Sequence, residues 1–291
     1  MSEFSVLLPV YAGDQIDHFA RSVRSVAADQ VLRPSQIVIV RDGPVPDVLE
    51  AFLGRLENGA AEDLAAGVPI EVVRLPENVG LARALNAGLE RCSHDIVARA
   101  DADDISLPQR FSTQIPLFDD GYVLVGSAVA EFSDDERSRG VVRTMPETTD
   151  EIREVVTLRS PFNHPTVVYR ASAVREAGGY EDLDRMEDYW LWARMVAAGG
   201  RMCNVPEVLV LYRVGAGAYG RRGGLTLLRS EVELQRRMHR MGLTAGGEYA
   251  RNLVVRGAYR LVPTWLRIGL YRGVGSLLWF RQPRTDKAEH R

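Results

Sequence analysis

Apolar residues in the first hundred positions fall in short dense runs, separated by longer stretches of mixed polarity. The runs are residues 4–10, 36–40, 70–75 and 95–100. Each is too short for a helix of ordinary length, and the density predicts strands covered on both faces, as in a parallel sheet. Between them, 16–28 places Phe19, Val23 and Val26 at helical spacing, 47–56 reads as a second helix, and 80–91 as a third entered through a glycine-containing loop. Four strands alternating with three helices predict an α/β fold, with a Rossmann-like, mostly parallel central sheet and helices on both faces. After Pro108 the texture changes. Strands are expected within 122–132, at 166–169 and at 205–212, and helices at 150–158 and 186–198. Two basic helices at 229–241 and 249–260 follow, and Pro263 suits the first turn of a final amphipathic helix.

Charge divides the chain where the pattern changes again. From Arg213 onward there are 16 Lys+Arg against 5 Asp+Glu, a net of +11, whereas residues 1–212 carry a net of −14. An acidic body and a basic tail predict two surfaces with different partners. Trp265, Leu266, Ile268, Leu270, Leu277, Leu278, Trp279 and Phe280 give the tail bulky apolar groups beside Arg267, Arg272 and Arg281. That mixture suits peripheral contact with an anionic membrane surface. No apolar stretch reaches the roughly 20 residues that span a bilayer, and the first residues lack a signal-peptide pattern. The expected location is cytoplasmic, peripheral on the inner face of the membrane. Cys92 and Cys203 form neither a disulfide framework nor a zinc spacing. No nucleic-acid partner is expected.

Ligands of open α/β sheets collect at the C-terminal strand ends. Acids lie after three of the four early strands: Asp14, Asp42, and the cluster Asp101, Asp103 and Asp104. One strand-end Asp is most simply a turn or cap residue. Three carboxylates within four positions repel one another and raise each other's pKa, and a hard divalent cation, Mn²⁺ or Mg²⁺, relieves the repulsion. Other nucleotide chemistries are poorly supported. Lys287 is the only lysine, so a P-loop is excluded, and no Gly-x-Gly-x-x-Gly follows the first strand. No Gly-x-Ser-x-Gly elbow is present either.

Several motifs together are more specific. They are Ser5-Val6-Leu7-Leu8-Pro9-Val10-Tyr11, Arg41-Asp42-Gly43, and the run Glu77-Asn78-Val79-Gly80-Leu81-Ala82-Arg83-Ala84-Leu85-Asn86. Ala100-Asp101-Ala102-Asp103-Asp104-Ile105 follows, with Pro108, Arg110 and Gln114, then Asn163-His164-Pro165 and Glu187-Asp188-Tyr189-Trp190-Leu191-Trp192. In order and spacing, over residues 4–213, the chain resembles glycosyltransferase family 2 with the GT-A fold, of the type that builds bacterial polysaccharides. The resemblance implies a GT-A domain over 1–212, with a nucleotide-sugar-binding half at 1–104 and an acceptor-binding half at 105–212. Residues 213–291 would be a basic helical extension.

The same resemblance implies residue roles. Pro9, Val10 and Tyr11 would line the donor's base, with Asp14 nearby, and Asp42 would bind base or ribose. Asn78, Arg83 and Asp101 would also serve the donor. Asp103, supported by Asp104, would ligate the metal, and Asp188 would be the general base that deprotonates the acceptor hydroxyl during direct, inverting attack. His164, in its Asn-His-Pro turn, contacts acceptor or phosphate, or else braces the turn. Glu187 is expected to contact the acceptor; of Trp190 and Trp192 beside it, one is expected to pack inside and the other, taken as Trp190, to form an acceptor platform. Arg221 and Arg222 either clamp a donor phosphate or form a solvated basic turn. Many relatives carry a histidine soon after the strand-end Tyr-Arg, but Val214 and Gly215 stand here, which leaves a third protein ligand for the metal in doubt.

The activity implied is inverting transfer from a nucleotide diphosphate sugar, UDP-hexose first, to a glycan or polyprenyl-linked acceptor. An inactive nucleotide-sugar-binding protein and a sugar nucleotidyltransferase are the competing readings. Which sugar moves, which hydroxyl receives it and the oligomeric state stay open at this level.

Overall fold

The computed structural model describes residues 2–215 and 225–261. The chain enters as β1 (Phe4–Tyr11), α1 (Ile16–Val26), β2 (Gln36–Asp42), α2 (Asp47–Glu57), a single turn α3 (Glu62–Ala65), β3 (Ile70–Arg74), α4 (Leu81–Leu89) and β4 (Ile96–Arg99). These strands pair in parallel in the order β3-β2-β1-β4. Strand alternation sorts their side chains onto two faces. Leu7, Val38, Val40 and Val97 join one core with Ala84, Leu85 and Leu89 of α4. Val6, Leu8, Ile37, Ile39 and Ile96 join the other with Phe19 and Val23 of α1 and Leu49 and Leu53 of α2. A Cβ at Gly88 would collide with Leu7 and Val40, so α4 lies against the sheet at a distance only glycine permits there.

The second half completes a mixed sheet. It contains β5 (Ile105–Ser106), α5 (Arg110–Gln114) with a 3₁₀ turn (Ile115–Asp120), β6 (Tyr122–Phe132), β7 (Val142–Arg143) and α6 (Thr149–Val155). A 3₁₀ turn (His164–Thr166), β8 (Val168–Arg170), α7 (Ala171–Glu176), α8 (Glu187–Ala198), β9 (Arg201–Arg213), α9 (Leu225–Arg240) and α10 (Gly246–Leu261) follow. Strand β8 lies antiparallel between β4 and β6, β9 runs parallel to β6, and β5 closes the row antiparallel to β9. The strand order reverses between the parallel neighbours β1 and β4, the topological switch where α/β sheets open a crevice.

Residues 122–132 form one strand rather than several. Strand β9 begins four residues earlier than the pattern predicts, because Pro206 and Glu207 bulge out of the pairing: Val205 faces Ser127 but Val208 faces Ala128. The polar Asn204 in this stretch is buried and donates to the carbonyls of Pro146 and Pro161. Leu227, Leu234 and Met238 of α9 belong to the same core as α8, so the first basic helix packs into the helical layer beside α8. Arg221, Arg222 and the tail from residue 262, including the expected helix after Pro263, lie outside the described residues. Among the described residues no helix is long and apolar enough to cross a membrane.

Candidate active site

The end of β1 turns sharply. Asp14 Oδ2 accepts from the Tyr11 amide at 2.9 Å, and the Asp14 amide donates back to the Tyr11 carbonyl at 3.1 Å. Tyr11 is left 50% exposed at the strand end, its ring lying over Gly13. Pro9 is half-buried, and the Val10 side chain packs in the core, so Val10 borders the site only through its backbone. Burial, with the nearby charges of Asp103 and Asp101, lifts the Asp14 carboxyl to about 6.

Asp42 has a different job from a free ligand carboxylate. Its Oδ1 accepts from the Val79 amide at 2.7 Å and its Oδ2 from the Gly80 amide at 3.1 Å, and the residue is 6% exposed. Asn78 Nδ2 donates to the Asp42 carbonyl at 3.3 Å. Gly43, at φ 81°, lets this strand end pass close under the Asn78 backbone. Asp42 therefore holds the loop that opens α4. That helix in turn grips the loop before α8: Arg83 pairs with Asp182 at 2.9 Å, and Asn86 exchanges two hydrogen bonds with the Tyr180 backbone.

At the β4 end the three acids occupy unlike environments. Asp101 is ion-paired with Arg99, and its carbonyl accepts from Ser22 Oγ of α1 at 2.6 Å. Asp103 points outward, and burial of its surroundings with the charge of Asp101 raises its pKa. Asp104 is buried; its Oδ1 accepts from the Arg213 amide at 2.8 Å, while its Oδ2 has no hydrogen-bond partner among the described residues. Burial and the charges of Asp101 and Asp103 push Asp104 well above the carboxylate range. Arg213 ties the end of β9 to this cluster, donating to the Asp103 carbonyl at 2.9 Å and the Ser133 carbonyl at 2.8 Å.

Among the described residues no three His, Cys, Asp or Glu converge to hold a metal unaided. An open Asp103 carboxylate, a partnerless Asp104 oxygen and mutual repulsion nevertheless fit a hard cation. Mg²⁺ and Mn²⁺ characteristically take one or two carboxylates and complete their shell with water and substrate phosphate.

The other wall is the start of α8. Glu187 and Asp188 occupy its first turn, where the helix dipole favours acids. Asp188 Oδ1 accepts from the Tyr189 amide at 2.7 Å, and Oδ2 lies 4.0 Å from His164 Nδ1. Burial lifts Asp188 to about 6, against the pull of the Tyr189 amide and Arg99. Burial and the neighbouring Asp188 charge lift Glu187 to about 7. His164 meets the Tyr180 hydroxyl through Nε2 at 3.1 Å, and burial beside Arg99 drives its pKa far down, so it stays neutral. Its turn is rigid, because Asn163 Nδ2 donates to the Ser127 carbonyl and Thr166 Oγ1 to the Asn163 carbonyl.

The expectation for Trp190 needs correction. It is 6% exposed, its indole N–H donates to Glu181 at 2.9 Å, and the guanidinium groups of Arg194 and Arg237 flank its ring. It latches α8 to α9 and offers no open face to a sugar. Trp192, fully buried, packs its ring edge-on with His164 and Phe162.

Two arginines escaped the motif reading as functional residues. Arg99 is 2% exposed in the last position of β4, between the acid cluster and the His164 turn. Arg110 is 1% exposed and donates to the Arg99 carbonyl, Ser106 Oγ and Gln114 Oε1. Burial and the charge of Arg99 lower Arg110 to about 9. The usable signal was a charge at the end of a buried strand, two positions before an acid.

A crevice at the switch of a mixed α/β sheet, with acids on one wall and a half-buried carboxylate pair on the other, defines the GT-A class of glycosyltransferases. The chain belongs to glycosyl transferase family 2, whose sequence profile matches residues 5–178. It is 37% identical over 273 residues to the amylovoran biosynthesis glycosyltransferase AmsE of Erwinia amylovora, covering 92% of this chain and 97% of the relative. It is 32% identical over 274 residues to an Escherichia coli UDP-Gal:alpha-D-GlcNAc-diphosphoundecaprenol beta-1,3-galactosyltransferase, covering 94% and 96%. In fold it resembles the mannosyltransferase PcManGT of Pyrobaculum calidifontis, solved with GDP-Man and Mn²⁺. That match has a TM-score of 0.59 at 16% identity and covers 94% of this chain and 80% of the other.

Proposed function

We propose that this glycosyltransferase moves a hexose from a UDP-sugar, with inversion and with a divalent cation, to a hydroxyl of a lipid-linked glycan during bacterial polysaccharide assembly. The observation that carries the reading is Asp188, a half-buried carboxylate lifted to about 6, in the electrostatic reach of both Arg99 and Asp101. A base that titrates just below neutral pH is ionised in use and still basic enough to take a proton.

A Mn²⁺ or Mg²⁺ held by Asp103, with the free oxygen of Asp104 behind it, would supply the Lewis acidity that lets the diphosphate leave. Tyr11 offers the exposed ring for the base, and Pro9 and Asp14 shape the turn beside it. Asp42 serves the donor by fixing the loop through Asn78 to Gly80, and Arg83 by fixing the loop before α8. Asp188 takes the acceptor hydroxyl's proton as that oxygen attacks the anomeric carbon opposite the leaving diphosphate. Neutral His164 and Glu187 frame the acceptor side. Support for the donor and acceptor comes from the galactosyltransferase relative, whose name specifies UDP-Gal and a diphosphoundecaprenol-linked sugar. Support for the cation comes from the Mn²⁺ complex of the structural neighbour.

The test is turnover on a polyprenyl-diphosphate-linked sugar with UDP-galactose, UDP-glucose, UDP-N-acetylglucosamine and GDP-mannose, each with Mn²⁺ and with excess chelator. Transfer from a UDP-sugar is expected, lost in chelator and in Asp103→Ala. Undiminished transfer in chelator would remove the cation, and transfer from GDP-mannose alone would overturn the donor.

A further inference from the structure

Arg99 is a buried cation between the two walls of the site, and the reaction as described does not use its side chain. It is 2% exposed and sits at the last residue of β4. Its guanidinium is ion-paired with Asp101, and its Nε is buried with no hydrogen-bond partner among the described residues. Its amide donates to the Val167 carbonyl at 2.9 Å, and the Val167 amide donates to the His164 carbonyl at 3.4 Å. The residue is thus stitched on one side to the strand-end acids and on the other to the turn whose histidine stands 4.0 Å from Asp188. Its carbonyl is held by Arg110 Nη2 at 2.6 Å, so the backbone at this point is fixed from α5 as well.

We infer that Arg99 is the positioning residue that joins the two halves of the site, one buried guanidinium holding Asp101 at the donor end and supplying the counter-charge for Asp188 and Glu187 at the acceptor end. The inference rests on the transferase reading above and deepens it. A buried cation stays in place only if anions balance it. Asp101 alone is half-exposed at the crevice. The remaining balance comes from Asp103 on the β4 side and from Glu187 and Asp188 on α8, since burial keeps Asp104 protonated. Three further groups set the local field. Arg110 faces Arg99 from α5 with like charge, and Tyr169 of β8 and Tyr180 of the loop before α8 present phenols that burial keeps protonated. His164 is neutral and adds no charge. Arg99 is therefore the positive group that favours ionised Asp188, and it does so from a place substrate does not reach.

The experiment uses the full chain and a readout that needs no turnover. Carboxyl carbon NMR would follow the titration of Asp188, assigned by its loss in Asp188→Asn, in the parent, Arg99→Lys and Arg99→Met. Removing an opposite charge at short range moves a carboxyl by about 1–3 pH units. The Asp188 midpoint should rise by about one unit or more in Arg99→Met and return most of the way in Arg99→Lys. Calorimetric binding of UDP with Mn²⁺ should weaken in both variants, because the planar pairing with Asp101 is lost in each. If Arg99→Met does not fold, Arg99→Met with Asp101→Asn removes the stranded carboxylate with the cation and reads the same midpoint. A folded variant whose Asp188 midpoint stays at the parental value overturns the inference. Because the titration needs no sugar, a wrong donor or acceptor would leave this result standing and would show instead as absent turnover.

Discussion

Asp42→Ala is the most informative single substitution at the donor end, since a loop anchor and a ligand contact predict different losses. The side chain is 6% exposed and accepts two amide hydrogen bonds, from Val79 at 2.7 Å and Gly80 at 3.1 Å. A hydrogen bond to a charged group is worth about 1.5–3 kcal/mol. The two amides are half-buried, so water replaces part of what is lost, and the lower end applies to each. The expected cost is about 3 kcal/mol. At about 2–4 °C per kcal/mol for a domain of this order of size, the melting temperature should fall by roughly 6–12 °C. Asp42→Asn keeps one acceptor but sets an amide nitrogen against a backbone N–H, and should cost nearly as much. The assay is thermal unfolding together with calorimetric titration of UDP and Mn²⁺ at 10 °C, well below either transition. As an anchor, Asp42 leaves the folded protein's UDP affinity within about threefold of the parent. A melting temperature within 2 °C of the parent, combined with loss of UDP binding, would refute the reasoning and return Asp42 to direct contact with the nucleotide.

Four further outcomes are expected. Asp188→Asn should lower turnover by about 10²–10⁴-fold with UDP binding unchanged, and parental turnover would move the base to Glu187. In the parent, kcat/KM should fall as pH drops through about 6, where Asp188 gains its proton; a flat profile from pH 5 to 8 would remove the carboxylate base. The carboxyls of Asp14 at about 6, Asp188 at about 6 and Glu187 at about 7 bind protons more tightly folded than unfolded. Their contribution is therefore full below about pH 4 and lost as pH rises through 6 to 7, on the order of 3 kcal/mol after discount for their coupling. In chelator the protein should melt higher at pH 5.5 than at pH 8, and UDP with Mn²⁺ should flatten the slope; a melting temperature that rises toward pH 8 in chelator contradicts this. The net of +11 from Arg213 onward predicts salt-sensitive co-sedimentation with anionic but not neutral vesicles, and equal recovery in the supernatant with both at low salt argues against a membrane role.

The parallel half of the sheet was legible because its strands are covered on both faces, so burial wrote itself directly into composition at 4–10, 36–40 and 70–75. The antiparallel half was harder to read. Polar Asn204 and the bulge at Pro206 break the pattern of β9, and β5 is two residues long, below what any periodicity can register. Site residues divided the same way. The acids at strand ends follow from topology, but what each acid touches depends on distant segments: Asp42 meets Val79 and Gly80, and Asp104 meets Arg213. Trp190 and Trp192 show the same limit, because a helix with buried residues on nearly every side presents no outward face to read. Arg99 was hidden by its strand, where one charge among apolar neighbours looks like an edge residue until the fold encloses it.

The central claim is a single displacement in which Asp188 activates the acceptor and no enzyme group bonds to the sugar. It is tested most directly by the anomeric configuration of the product, read by proton NMR after transfer from UDP-α-galactose, or whichever UDP-α-hexose turns over, to a polyprenyl-diphosphate-linked acceptor with Mn²⁺. The account predicts a β-linked product from the parent and none within the same time from Asp188→Asn. An α-linked product would contradict it.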